Sequence, residues 1–300
     1  MLDGSLDALL AHRAGGLRVG LRSDPSNICD VFRGTSLDAS THHEGNVSSY
    51  YTAPQRPSDD ERRVIDAGAI DLLRSPLAAG VFEVAYRGFL EAGLSVLEEP
   101  FGADPVRDSP IQCARDGGLV YVGRCWSFKW QNMGGYVDAL RASFGSGFQL
   151  YGEGWPEGYS SGYLPDDRLR EVLCRASVVV SLHEPSQVMG FAFAPNERVH
   201  KLLAMGCCVV SDPNPILETY YTGGEDLVIA SSPEDMVRLV GGLLDDPVRA
   251  RRVATSGKDR TVRFHLYEHR AMRLLETLES DVEPGSIVTY RGDVRAGCCV

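Results

Sequence analysis

The chain has 300 residues, of which 43% are hydrophobic and 24% charged, with a mean hydropathy of −0.14. That composition belongs to a globular chain able to bury a core, and it excludes collagen-like, coiled-coil and disordered classes. A formal net charge of −11 and a sequence pI of about 5.1 disfavour a general grip on duplex nucleic acid, which depends on Lys and Arg neutralising phosphates.

No apolar run reaches the roughly 18 residues of a membrane span. The opening MLDGSLDALLAHRAGG carries Asp3 and Asp7 where an export signal carries positive charge, so a cytoplasmic chain is expected. Eight cysteines include the adjacent pairs Cys207-Cys208 and Cys298-Cys299 and no CxxC. Their spacing fits no zinc site and reads as reduced thiols.

In chain order, Leu17–Leu21 and Ile70–Ser75 read as strands, with a helix over Ala78–Ala92 and a third strand at Leu94–Glu98. The segment Thr35–Asp60, rich in Ser, Thr, His, Asp and Gly, reads as a long loop of the kind that is functional or disordered. A polar, Gly-rich stretch, Cys113–Gly118, then precedes the apolar run at 119–123. Similar runs follow at Phe148–Tyr151, Ser177–Leu182, Cys207–Ser211 and Leu227–Ala230. Short apolar runs bounded by turn residues are the mark of buried parallel strands.

Helical patterns separate them: Gly135–Phe144, Asp166–Ala176 with Asp166 as expected N-cap, Asn196–Met205 ending at Gly206, and Pro233–Leu244 capped by Ser232. Alternation of strand and helix predicts an α/β doubly wound parallel sheet. The expected organisation is a small α/β lobe over 1–118, a Rossmann-like lobe over 119–262, and a closing segment over 263–300. That segment holds a helix at Arg263–Leu275 packing back on the first lobe, then a tail from Asp281 without a core-forming pattern.

Ligands of open α/β sheets bind beyond the carboxyl ends of the strands. Gly123 there opens a loop carrying Arg124 and, five residues on, Lys129, two cations suited to one diphosphate. Tyr163 and Leu164 lie on a turn that offers an apolar face to a base. His183 and Glu184 follow the strand ending at Leu182, with Gly190 in the next loop. Asn196 and Arg198 then open a helix whose N-terminus favours an anion, and Lys201 lies one turn further on. Each feature has a bland alternative as a solvated loop or helix face.

The order of these motifs is more specific than any one of them. Strand-GRxxxxK-helix, GYLP, SLHEPS, NERVHKLLAMG, CVVSD and EDLVIASSPEDMVRLVGGLLDD together resemble the donor lobe of GT-B glycosyltransferases. More narrowly, they resemble the group similar to spore maturation protein CgeB. The resemblance covers about 94–275 and is thin before 94. It implies two Rossmann-like lobes facing a cleft, the first one reduced, and a nucleoside-diphosphate-sugar donor on the second. It also implies no resident metal and no separate cofactor. By the same resemblance Arg124 and Lys129 contact the diphosphate, Tyr163 and Leu164 pack on the base, and Asn196 and Arg198 open the donor helix.

The chain departs from the pattern at Lys201, where related enzymes place a Glu that hydrogen-bonds the ribose; a lysine cannot accept hydrogen bonds. A base for an inverting transfer is expected in the first lobe, with His42, His43 and Asp24 as candidates; a retaining route needs none. The acceptor class stays open among saccharide, protein, small molecule and modified nucleic-acid base. The last is kept by a basic stripe that includes Arg13, Arg18, Arg22 and Arg33. A non-catalytic relative and a sugar-nucleotide epimerase are the alternative functions.

Overall fold

The computed structural model describes residues 19–21, 59–66, 72–75, 86–98, 100–125, 127–183, 196–214, 216–280 and 282–289. The chain divides into two compact units. The first takes Met1–Pro100, Phe191–Ala194 and Ala271–Arg291; the second takes Phe101–Gly190, Pro195–Arg270 and Gly292–Val300. Both are α/β, as the alternation of runs predicts.

In the first unit β1 (Val19–Leu21), α1 (Asp59–Asp66), β2 (Leu72–Ser75), α2 (Arg87–Glu91) and β3 (Ser95–Glu98) are followed far along the chain by β9 (Ile287–Val288). The sheet order is β1-β2-β3-β9, all parallel. Every residue of β3 is buried, which its Ser-Val-Leu-Glu sequence achieves with Ser95 donating to the Glu283 carbonyl at 2.9 Å. β9 corrects the expectation of a tail without core pairing. A strand of two residues carries no periodicity, and its place comes from Val96 and Leu97, the partners of Ile287 and Val288.

The second unit runs β4 (Leu119–Val122), α3 (Ser127–Phe144), β5 (Phe148–Tyr151), α4 (Asp166–Arg175), β6 (Val178–Ser181), α5 (Glu197–Ala204), β7 (Val209–Ser211), α6 (Leu217–Tyr220), β8 (Val228–Ile229), α7 (Pro233–Asp245) and α8 (Pro247–Phe264), and the start of α9 (Tyr267–Glu279). Its sheet is parallel in the order β5-β4-β6-β7-β8. A strand buried on both faces must be apolar throughout, and Val178, Val179 and Val180 of β6 are all buried. One core joins Tyr121, Val180 and Val210 of the sheet to Val137 and Leu140 of α3 and Val240 of α7.

The expected cap holds at Ser232, and Asn196, read as the first residue of its helix, is a cap as well. Asn196 accepts from the Val199 N–H at 3.1 Å, and Ser232 accepts from the Asp235 N–H at 3.1 Å. Gly206, at φ +72°, follows the end of α5 in the left-handed conformation that suits glycine. At α4 the cap position falls on Pro165, with no side-chain bond, so Asp166 is the first helical residue rather than the cap. α3 starts eight residues before the expected Gly135. Its Gly134-Gly135 pair reads as a helix breaker, but Trp130 packs so closely that a Cβ on Gly134 would lie 2.8 Å from the indole. The closing helix starts at Tyr267 rather than Arg263, because Arg263 belongs to α8. Among the described residues no helix is long and apolar enough to cross a membrane.

Gly257 of α8 is where the packing tolerance is smallest. A Cβ there would lie 2.2 Å from the Asp226 carbonyl oxygen and 2.7 Å from Leu203 Cδ2 of α5. Gly→Ala in a helix interior ordinarily stabilises by up to about 1 kcal/mol. Gly257→Ala is expected to do the opposite and destabilise by about 1–3 kcal/mol through overpacking, read as a lower urea midpoint.

Candidate functional site

From β4 the chain passes to β5 on one side of the sheet and then to β6 on the other. The connections leaving β4 and β6 therefore diverge, and a crevice opens at the carboxyl ends of these two strands. The second unit holds a cavity of 1010 Å³ whose apolar wall includes Val122, Val179, Leu169 and Leu173 of α4, Leu202 of α5, and Met205 just past that helix. Its charged wall includes Lys129, Arg198, Lys201, Glu197 and Asp108.

The loop after β4 is held along its length. The Gly123 N–H donates to the Tyr151 carbonyl at 3.0 Å, and the Cys125 N–H to the Glu153 carbonyl at 2.9 Å. The indole N–H of Trp155 donates to the Gly123 carbonyl at 2.7 Å. Gly152, at φ +125°, permits this approach, since a Cβ there would lie 2.0 Å from the Gly123 oxygen.

Gly123 is itself required by contact. A Cβ on it would lie 2.6 Å from the Tyr121 hydroxyl and 3.0 Å from Arg198 Nη2. With that space empty, Arg198 reaches from the first turn of α5 across the crevice. Its Nη1 donates to the Leu182 carbonyl at 3.2 Å and to the Tyr121 hydroxyl at 3.4 Å. Its guanidinium carbon lies 5.4 Å from the centre of the Tyr121 ring. One cation thus spans the ends of β4 and β6, and its Nε and Nη2 groups have no acceptor among the described residues.

His183 lies deeper. Its side chain and that of Asp212, just past β7, are both fully buried. The His183 N–H donates to both Asp212 oxygens at 3.0 Å, and its Nδ1 lies 2.7 Å from Asp212 Oδ1, which places the ring proton on Nδ1. Asn132 of α3 donates to the His183 carbonyl at 3.1 Å and to Asp212 Oδ2 at 3.3 Å. Among the described residues His183 Nε2, which is buried, has no hydrogen-bond partner.

The cavity brings together Lys129, Asn196, Arg198 and Lys201 of the sequence-derived set. It does not include Arg124, whose exposed guanidinium pairs with Glu153 at 2.8 Å, nor Tyr163, which is 66% exposed, nor Leu164. Glu184, Gly190, Asp24, His42 and His43 lie outside the described residues. Asp108, Glu197 and Tyr267 are cavity residues that the sequence reading passed over. A titratable residue directly after an apolar run, the signal that singled out His183, would also have found Asp212.

Behind the cavity, α5 is backed by a second buried polar cluster. His200 Nδ1 lies 2.7 Å from the Tyr221 hydroxyl, and His265 Nε2 lies 3.1 Å from the Tyr220 carbonyl. The buried Arg270 donates to the Phe101 carbonyl at 3.1 Å, with Nη2 3.4 Å from His265 Nδ1. Burial, helped by the Arg270 charge, holds His265 down to about 3; burial, His265 and Arg270 together keep His200 well below the usual histidine range. Both are neutral when folded, whereas the unfolded chain takes up their protons below about pH 6.5. Their contribution is therefore complete above pH 6.5 and is lost as pH falls from there toward 3, at up to about 1.4 kcal/mol per pH unit for each histidine. Urea unfolding should show a midpoint that falls between pH 7 and 5, and a shallower fall in His265→Gln.

Residues 135–276 match a family model described as glycosyl transferase-like. A search of the curated proteins found no match. Among solved structures, TarM is similar with a TM-score of 0.61 at 12% identity, covering 93% of this chain and 53% of TarM. Sucrose-phosphate synthase from Thermosynechococcus elongatus gives 0.53 at 13% identity, covering 70% of this chain and 67% of its own. Anabaena HepE, solved in complex with UDP and glucose, gives 0.51 at 13% identity, covering 74% and 67%. The chain thus spans about half the length of TarM and two thirds of the other two. The likeness shows the fold, which is that of the GT-B glycosyltransferases.

Proposed function

We propose that this protein moves a sugar from a nucleoside-diphosphate-sugar donor to an acceptor hydroxyl, with the donor's diphosphate held at the carboxyl ends of β4 and β6. The observation that carries the reading is the position of Arg198 across those two strand ends, with Lys129 on the wall of the same cavity. The glycosyl transferase-like match over 135–276 and the HepE complex with UDP support it and make UDP the first donor nucleotide to try. The order of motifs over 119–262 favours the group similar to spore maturation protein CgeB.

In the transfer the acceptor oxygen attacks the anomeric carbon. The bond from that carbon to the diphosphate oxygen breaks, and the electron pair leaves with the diphosphate. A guanidinium and an ammonium placed where this charge develops lower the barrier, the service a divalent metal gives elsewhere. The first turn of α5 adds its N-terminal dipole, with Asn196 as the cap. Arg124 fits as an outer contact: an exposed ion pair such as Arg124–Glu153 is worth about 0–1 kcal/mol, so a phosphate oxygen can replace the carboxylate. The proton of the acceptor hydroxyl goes to a base in an inverting route, with Asp24, His42 and His43 the candidates, and to the departing diphosphate oxygen in a retaining one.

Titration calorimetry with UDP tests the reading. Arg198→Met and Lys129→Met should each weaken binding about tenfold or more, the worth of a charged hydrogen bond, while Arg124→Ala costs about threefold. Unchanged binding in both Met variants, with melting temperatures intact, contradicts it, as does a protein that binds no nucleoside diphosphate. Release of UDP from UDP-sugars on adding acceptor mixtures then separates a transferase from a relative that only binds the donor.

A further inference from the structure

The two cations of the crevice arrive from opposite faces of the sheet. Side chains alternate along a strand. On β6, Val180 joins the core that holds Val137 of α3, while Val179 lines the cavity with Leu202 of α5. Lys129 stands in the first turn of α3 and Arg198 in the first turn of α5. A diphosphate held by both therefore needs helices on two faces kept at one separation.

The end of β6 ties both helices. Arg198 Nη1 donates to the Leu182 carbonyl at 3.2 Å, and Asn132 Nδ2 donates to the carbonyl of the next residue, His183, at 3.1 Å. Asn132 follows Lys129 by three residues, so the two are neighbours on the surface of α3. The turns that carry the two cations are thus fastened to adjoining peptides.

The peptide that receives Asn132 is itself fixed. The His183 N–H donates to both Asp212 oxygens at 3.0 Å, and its Nδ1 lies 2.7 Å from Asp212 Oδ1, with both side chains fully buried. Asn132 Nδ2 also reaches Asp212 Oδ2 at 3.3 Å, so its two N–H groups serve one carbonyl and one carboxylate. Packing of α3 does not ask for an amide here: Met133, Val137 and Leu140 already hold the helix on the core. What the amide adds is the setting of the first turn against the end of β6.

We infer that Asn132 is a positioning residue for diphosphate binding, which sets Lys129 against Arg198 by fastening α3 to the His183 carbonyl. The inference rests on the nucleotide-sugar reading above. A ligand with one phosphate can settle on either cation, whereas a diphosphate that spans both feels a change in their spacing. A displacement of about 1 Å is enough to spoil geometry of this kind.

Affinities for UDP and UMP are measured by calorimetry on the full chain and on Asn132→Ala, Asn132→Ser, Lys129→Met and the Lys129→Met/Asn132→Ala double variant. Urea unfolding confirms that each is folded at the assay temperature. Asn132→Ala weakens UDP about fivefold and UMP by less than about twofold, and Asn132→Ser gives the same split if the alanine variant does not fold. In the Lys129→Met background the loss of the amide costs UDP less than about twofold, because the cation it positions is gone.

Equal losses on UDP and UMP, no loss on either, or a loss on UDP that persists undiminished without Lys129 overturns the inference and leaves the nucleotide-sugar reading in place. Failure of the unmodified protein to bind UDP overturns that reading itself, and this inference with it.

Discussion

The reversal of strand order at β4 governs where the polar side chains of the second unit can gather. Because β5 and β6 lie on opposite sides of β4, the loops leaving β4 and β6 part from each other, and backbone groups at two strand ends are left facing a gap. Arg198 spans that gap. It uses the Leu182 carbonyl of one strand end and the Tyr121 hydroxyl of the other, and it fits because residue 123 has no side chain. The same order of strands places Asp212, at the end of β7, beside His183 at the end of β6. There the Asn132 amide closes a buried set of hydrogen bonds of the kind that is costly to leave half-made.

Charge divides the cavity more finely than the total of −11 suggests. Lys129, Arg198 and Lys201 all line the cavity, and the Lys201 ammonium pairs with Glu197. An acidic protein can hold a dianion because the local arrangement, not the sum, sets the field.

The parallel strands of the second unit were legible because burial on both faces forces short apolar runs, as at Val178–Val180. The cap at Ser232 was legible because helix starts are chemically distinctive. Other features depended on contacts between distant segments. The five-residue spacing of Arg124 and Lys129 suggests that they converge. Yet the loop from Gly123 is bound to residues 151–155, which sets Arg124 beside Glu153, while Lys129 already lies in the first turn of α3. Asp108, Glu197 and Tyr267 come from three separate stretches of sequence, and nothing local to any of them announces the cavity. The two-residue β9 and the Gly134-Gly135 step inside α3 are likewise fixed by partners, Val96 and Leu97 in one case and Trp130 in the other.

A crystal structure of the protein with UDP would test the central claim most directly, because it locates the diphosphate. It should lie at the carboxyl ends of β4 and β6, within hydrogen-bonding distance of the Arg198 guanidinium and the Lys129 ammonium. A diphosphate bound at Lys201, or on the surface at Arg124 with the crevice empty, would contradict it.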